Sequence, residues 1–277
     1  MQFAEYPSIT DEELPRWESW IEQTTGIVLR GHKHLLEQGI YPRLVACGIS
    51  SLDEYRRLID VGEGGGLEKA ALIDQLTVKD SSYFRNEQAM NAVGEYLLRL
   101  SREVEVEDYE LRVWSVGCAL GQEAYSLGMI AAELFEHTDQ RWQILGTDIS
   151  PSAVIHAGRG FYTDKQVAGV SPARMARFFD AVEGGWQVKS DLWRRVRFGT
   201  SNLRDLEECP YRGQDVIFCQ NVLIYFRRDT VKRILDQFVE RLNPGGLLVL
   251  GAGEAPEWKS SRVVRWLPGR FNAYRVC

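Results

Sequence analysis

Leu111–Val116 (LRVWSV) runs into Gly117-Cys118-Ala119-Leu120-Gly121, and a helical pattern starts directly behind it, with Tyr125, Met129, Ile130 and Leu134 on one face. A short apolar strand that passes through a glycine turn into an amphipathic helix is the opening of a parallel βαβ unit. The same alternation continues downstream. Trp142–Gly146 reads as a second buried strand, and Ser150-Pro151 supplies an N-cap and a first-turn proline for the helix behind it. Val216–Cys219 and Leu247–Leu250 are further apolar runs, separated by a helix over Thr230–Leu242 and the stop Asn243-Pro244-Gly245-Gly246. Strands alternating with helices predict an α/β fold around a doubly wound, mostly parallel sheet. Trp186–Val196 breaks the rhythm with short polar strand patterns, which fit a small antiparallel excursion.

The first quarter of the chain reads differently. Residues 1–76 carry 13 acidic and 7 basic side chains, whereas the remainder carries 26 of each. This asymmetry predicts a separate N-terminal domain over 1–78, followed by a second domain over 79–277. The N-terminal pattern is helical. Thr10-x-x-Glu13 forms a capping box ahead of Leu14, Trp17 and Ile21, with Gly26 placed to end that helix. A second helix is expected over 31–46, kinked or divided at Pro42. Ser51-x-x-Glu54 caps a third, and Leu67–Leu76 makes a fourth after Gly64-Gly65-Gly66.

Composition removes several function classes. Hydrophobic residues make up 44% and charged residues 26% of the 277, which is enough apolar content for a real core. No apolar run approaches the length of a membrane span, and MQFAEYPSIT lacks the basic and apolar regions of a signal peptide, so no membrane insertion is expected. A net charge of −6 is opposite to that of a general nucleic-acid binder. Five cysteines without a Cys-x-x-Cys pair fit a reducing cytoplasm, and four histidines in no ligand spacing predict no metal site.

The turn itself carries chemical information. Gly117-x-x-x-Gly121 lacks the close glycine pair of a pyrophosphate-binding loop, and Gln122-Glu123 behind it would place a carboxylate where a phosphate would sit. Asp148 closes the next strand, where a carboxylate can accept both hydroxyls of a ribose. A nucleoside without phosphates fits this charge pattern, and one with a cationic tail fits it better. S-adenosylmethionine has both properties. The two acids also have plain structural roles open to them: a favourable charge in the first turn of a helix for Glu123, and a helix cap for Asp148.

Taken together and in order, Tyr83-Phe84-Arg85, Gly117–Ser126 (GCALGQEAYS), Gly146–Ile149 (GTDI), Asn221–Phe226 (NVLIYF), Leu242–Gly246 (LNPGG) and Gly251–Glu254 (GAGE) resemble the chemotaxis receptor protein-glutamate O-methyltransferases, the CheR family. In the helical region Gly26-Ile27-x-Leu29, Lys33, Leu36, Gly48 and Ser51…Glu54-Tyr55 have family counterparts, so the resemblance covers nearly the whole chain. It implies a class I, Rossmann-like methyltransferase domain behind a small helical domain, with an antiparallel β-subdomain at about 172–200. It also implies methyl transfer from S-adenosylmethionine, leaving S-adenosylhomocysteine, to glutamates on the cytoplasmic domains of chemoreceptors. Such an enzyme would be cytoplasmic and monomeric.

By motif position, the resemblance assigns cofactor contacts to Gly117, Glu123, Asp148, Asn202 and Leu203, and to Lys79, Ser81 and Arg85 from the interdomain segment. Gln220 and Asn221, also assigned to cofactor binding, fall with Tyr225 at the edge of the methyl-transfer pocket, and Arg85 and Tyr225 are the residues expected to serve catalysis. The planar fork of Arg85 suits an acceptor carboxylate, and Tyr225 offers a rigid wall. Three departures stand out: Gln220 replaces the family's usual arginine, Lys79 its usual asparagine, and the second helix carries Arg30, Lys33 and Arg43 but is interrupted by Gly39 and Pro42. They leave two other readings open, a catalytically impaired cofactor-binding docking module and a methyltransferase with another acceptor.

Overall fold

The computed structural model describes residues 8–29, 31–104, 109–267 and 269–277. Arg30 and the first seven residues, both used above, lie outside them. Four helices come first: α1 (Leu14–Thr25), α2 (Lys33–Cys47), α3 (Leu52–Val61) and α4 (Gly65–Leu76). The capping box ahead of α1 forms reciprocally: Thr10 N donates to Glu13 Oε2 at 2.8 Å and Glu13 N to Thr10 Oγ1 at 3.2 Å. Gly26 ends α1 with φ 78°, and a Cβ there would press into the Phe226 ring, so both the turn and the close approach demand glycine. Contrary to expectation, Pro42 does not divide α2, which runs unbroken through it. Burial of Leu36, Ile40, Tyr41 and Leu44 in the helical domain's own core holds the helix together across the lost hydrogen bond.

The remaining elements are α5 (Glu87–Glu103), β1 (Glu110–Val116), α6 (Gln122–Leu134), β2 (Arg141–Asp148), α7 (Pro151–Arg159), β3 (Phe161–Tyr162), the short α8 (Asp164–Val167), α9 (Pro172–Phe178), β4 (Phe179–Val182), β5 (Gly185–Val188), the short α10 (Ser190–Trp193), β6 (Val196–Thr200), β7 (Gln214–Cys219), α11 (Arg228–Arg241), β8 (Leu242–Leu250), β9 (Val263–Arg265) and β10 (Asn272–Val276). Two 3-10 turns, Leu203–Glu208 and Leu223–Tyr225, follow β6 and β7.

Seven strands form one sheet in the order β6-β2-β1-β7-β8-β10-β9. The first five run parallel, and β10 pairs antiparallel with both β8 and β9. Its central strands are buried on both faces, as the near-continuous apolar runs predicted. The second sheet is a three-stranded antiparallel one, β3-β5-β4. It spans 161–188, not about 172–200. Val196–Thr200, expected within the subdomain, instead extends the large sheet beside β2, where Phe198 packs closely against Gly121 and Gly146. The chain turns back on opposite sides of β1: β2 and β6 lie one way, β7 and β8 the other. That reversal opens a crevice beyond the carboxyl ends of β1 and β7.

Candidate active site

A cavity of about 570 Å³ occupies that crevice. Val116, Asp148, Thr200 and Cys219 end the four neighbouring strands, and the residues directly beyond them, Gly117, Ile149, Ser201 and Gln220, line it. The helical domain closes the other side with Ile27, Val28, Leu29, Leu76 and Thr77. Its attachment is a strand-like contact: Val28 N donates to Tyr225 O at 2.8 Å and Ile27 bridges Phe226. Glu22 and Arg227 form an ion pair beside it.

The floor is acidic. Asp148 Oδ2 accepts from Ala119 N and its Oδ1 from Ser150 N, each at 2.9 Å, so the carboxylate is fixed in direction yet keeps lone pairs for a ligand. Burial raises its pKa. The cap of α7 is Ser150, whose Oγ accepts from Ala153 N at 3.1 Å; Asp148 is not spent on that role. Glu123 stands in the first turn of α6, half-buried and lining the cavity, and accepts from Ser115 Oγ at 2.6 Å. Burial pushes its carboxyl up to about 8; the Ser115 bond and the Arg85 charge pull it down, while the Glu254 charge adds to the rise.

The glycine turn fits against this floor because Gly117 has φ 68° and a Cβ there would run into Val222. Ala119 and Asn221 also hold positive φ, 46° and 60°, at the two turns that face each other across the crevice. Backbone strain of this kind, about 1–3 kcal/mol per residue, persists only where the surroundings enforce it.

The enforcing residue on the β7 side is Glu254, the last residue of the Gly251–Glu254 motif, whose spacing alone assigns it no role. It is 3% exposed. Its Oε1 accepts from Val222 N and Leu223 N, each at 2.9 Å, and its Oε2 from Gly251 N at 2.7 Å. One carboxylate thus clamps the loop that carries Asn221 and Tyr225. Glu254→Ala leaves three buried N–H groups without an acceptor and is expected to cost at least about 3 kcal/mol of stability. Urea unfolding checks this; a loss below about 1 kcal/mol would mean the loop holds itself.

The other expected site residues divide clearly. Arg85 lines the cavity with a side chain 47% exposed; its Nη1 is 3.3 Å from Asp80 Oδ2, a pair open to solvent. Ser81, Leu203, Asn221 and Tyr225 also line it. Gln220 and Asn202 line it too, but their amides are already engaged. Gln220 Oε1 accepts from Asn86 Nδ2 at 3.2 Å and its Nε2 reaches Leu250 O at 3.4 Å. Asn202 Nδ2 donates to Thr24 O at 2.9 Å, tying the two domains, while its Oδ1 caps the following turn. Lys79 is not brought to the cavity: its ammonium donates to Ser152 Oγ at 2.9 Å and lies 3.7 Å from Asp74 Oδ1. With a side chain four methylenes long, it reaches the neighbouring domain contact where the asparagine usual in the family could not.

Two carboxyl groups that line one cavity, Glu123 and Asp148, suit a ligand that brings hydroxyls and a cation better than they suit a phosphate. No group of His, Cys, Asp and Glu among the described residues is arranged to hold a metal ion, and no helix there is long and apolar enough to cross a membrane. The parallel sheet with its antiparallel β10, the turn after β1 and the acid that ends β2 define a class I S-adenosylmethionine-dependent methyltransferase. Comparison with known proteins sharpens this. Residues 79–269 match the CheR methyltransferase SAM-binding domain and residues 12–77 the CheR methyltransferase all-alpha domain. The chain is 34% identical over 259 residues to a chemotaxis protein methyltransferase of Vibrio anguillarum, covering 90% of each chain. It is 35% identical over 257 residues to chemotaxis protein methyltransferase 1 of Pseudomonas aeruginosa, covering 90% of this chain and 92% of that one. Against the Escherichia coli chemotaxis protein methyltransferase the figures are 30% over 259 residues, 92% and 88%. The chain belongs to the CheR methyltransferase family, and it uses S-adenosylmethionine for methyl transfer in chemotaxis.

Proposed function

We propose that this protein methylates glutamate side chains on the cytoplasmic domains of chemoreceptors, forming methyl esters. The observation that carries this reading is the pairing, within one cavity, of an acidic floor at Glu123 and Asp148 with a lightly held guanidinium, Arg85, near the outer rim. The floor suits the cationic, hydroxyl-bearing cofactor, and the arginine suits an anionic acceptor.

When bound, S-adenosylmethionine supplies an electrophilic methyl group on a sulfonium. Asp148 would hold the ribose hydroxyls and Glu123 the ammonium of the amino-acid tail. The acceptor glutamate, with an ordinary pKa of about 4.3, is already ionised at neutral pH and needs no general base. The protein's task is alignment, which can supply roughly 7–11 kcal/mol. Arg85 orients the acceptor carboxylate, while Tyr225 and Leu203 wall the channel. Two opposite charges neutralise each other during transfer, so a dry site favours the reaction, and the helical domain covers the pocket in the manner this requires.

The engaged amide of Gln220 supports a structural use of that position, so the missing arginine does not argue against catalysis. Incubation with methyl-labelled S-adenosylmethionine and receptor cytoplasmic fragments tests the proposal. Base-labile label on the fragment is expected; base-stable label, or cofactor binding without transfer, would refute it.

A further inference from the structure

Asp74 belongs to α4 of the helical domain, yet it sits at the edge of the cofactor floor. Its Oδ1 accepts from Ser150 Oγ and from Ser152 N, the latter at 3.2 Å. Lys79 Nζ lies 3.7 Å from the same oxygen and donates to Ser152 Oγ at 2.9 Å. Ser150 is wholly buried, and its N–H and hydroxyl are committed in three directions. Its N–H goes to Asp148 Oδ1 at 2.9 Å, its Oγ accepts from Ala153 N at 3.1 Å, and its hydroxyl proton goes to Asp74. A buried hydroxyl proton needs an acceptor, and the one it has here comes from the other domain.

We propose that Asp74 is a positioning residue for cofactor binding, acting through Ser150 on the direction of the Asp148 carboxylate. This rests on the reading of Asp148 as the ribose acceptor. Asp148 is steered by Ala119 N in the glycine turn and by Ser150 N at the head of α7, with the Ile149 backbone N–H between them adding to the second side. The first anchor belongs to the sheet domain alone. The second is only as fixed as the serine, which is held by its own helix α7 and, through its hydroxyl proton, by α4. Removing the Asp74 acceptor leaves the Ser150 hydroxyl free to seek another oxygen, and the Ser150 N–H that helps to direct the Asp148 carboxylate is held less firmly. The helical domain thereby adjusts the affinity of a site whose cofactor-gripping carboxylates are both outside it.

The test is a double-mutant cycle on the full chain, read by calorimetric titration with S-adenosylhomocysteine and by methyl-transfer kinetics. Asp74→Ala is expected to weaken S-adenosylhomocysteine by about three- to tenfold. It should raise the KM for S-adenosylmethionine in step, with kcat and the KM for the acceptor fragment within about twofold of wild type. Asp74→Asn keeps an oxygen that can accept from Ser150 and should recover most of the affinity although it discards the Lys79 ion pair. In the Asp148→Ala background, Asp74→Ala should cause no further loss, because its route to the ligand has gone.

Three results would overturn the inference: unchanged affinity in Asp74→Ala beside a weakened Asp148→Ala, additive losses in the double variant, or an Asp74→Ala defect confined to kcat or to the acceptor. Full affinity in Asp148→Ala alone has a different meaning. It would withdraw the ribose assignment itself, and the Asp74 inference with it.

Discussion

Arg85→Ala is expected to lose roughly 10²-fold or more in turnover while S-adenosylhomocysteine binding stays within about a few-fold of wild type. The guanidinium is free to do this work. Its partners are a carbonyl at 3.4 Å and a carboxylate at 3.3 Å, both from Asp80, whose side chain is 73% exposed. An ion pair this open to water contributes little to stability, so the folded state should survive its loss. Arg85→Lys should recover little, because an ammonium cannot present two parallel donors to a carboxylate. Gln220→Arg is not expected to be a clean rescue: the new side chain would have to abandon the bond that Gln220 makes with Asn86, the cap of α5. Steady-state kinetics with both substrates varied decide the matter. Near-normal methylation by Arg85→Ala, or a defect that disappears at saturating S-adenosylmethionine, would place Arg85 elsewhere in the mechanism.

Cofactor affinity should also rise steeply with pH, because Glu123 is protonated in the free protein near neutrality. Burial raises its carboxyl from 4.5 to about 8. A ligand ammonium needs the ionised form, so binding below that value must release a proton. S-adenosylhomocysteine affinity should therefore increase about tenfold per unit between roughly pH 6 and 7.5 and level off above about 8. Calorimetry at pH 7 in buffers of different ionisation enthalpy should report close to one proton released per ligand, and Glu123→Gln should abolish the release. The same group affects folding with the opposite tendency. Between 4.5 and about 8 the folded state holds a proton that the unfolded chain has lost, so Glu123's contribution favours the fold at low pH and is withdrawn as pH rises through that window. A pH-independent affinity would show that Glu123 does not face the ligand's cation.

Much of this was readable from residue order because it is local. The strand, glycine turn and helix over Glu110–Leu134, the Ser150 cap and the helix Arg228–Arg241 follow from periodicity and capping, and each forms close to where its pattern lies. What the pattern missed depends on partners far away in the chain. Phe161–Tyr162 is a two-residue strand that exists only because Trp186 and Gln187 lie beside it. Val196–Thr200 joins the large sheet because Phe198 fits over glycines of other elements. β9 and β10 are short strands paired antiparallel at the sheet's far edge, and neither they nor α5 follow from the patterns above. The candidate site shows the same division. Glu123 and Asp148 are fixed by their own strand ends and turns, so spacing could point to them. Glu254 and Asp74 act by accepting from backbone or hydroxyl groups on distant segments, 32 residues away for Val222 and 76 for Ser150, and no spacing rule reaches that far. Lys79 and Asn202 show the reverse: residues placed by motif whose side chains are drawn into domain contacts.

The central claim is that one cavity presents a cofactor methyl group to a glutamate carboxylate. The most direct measurement is tandem mass spectrometry of a receptor cytoplasmic fragment after reaction with S-adenosylmethionine carrying a deuterated methyl group, using wild-type protein and Arg85→Ala in parallel. Deuterated methyl on glutamate side chains, lost with release of methanol in mild base and strongly reduced by Arg85→Ala, is the predicted result. Label on any other residue type, or an unlabelled fragment alongside demonstrated cofactor binding, would contradict the account.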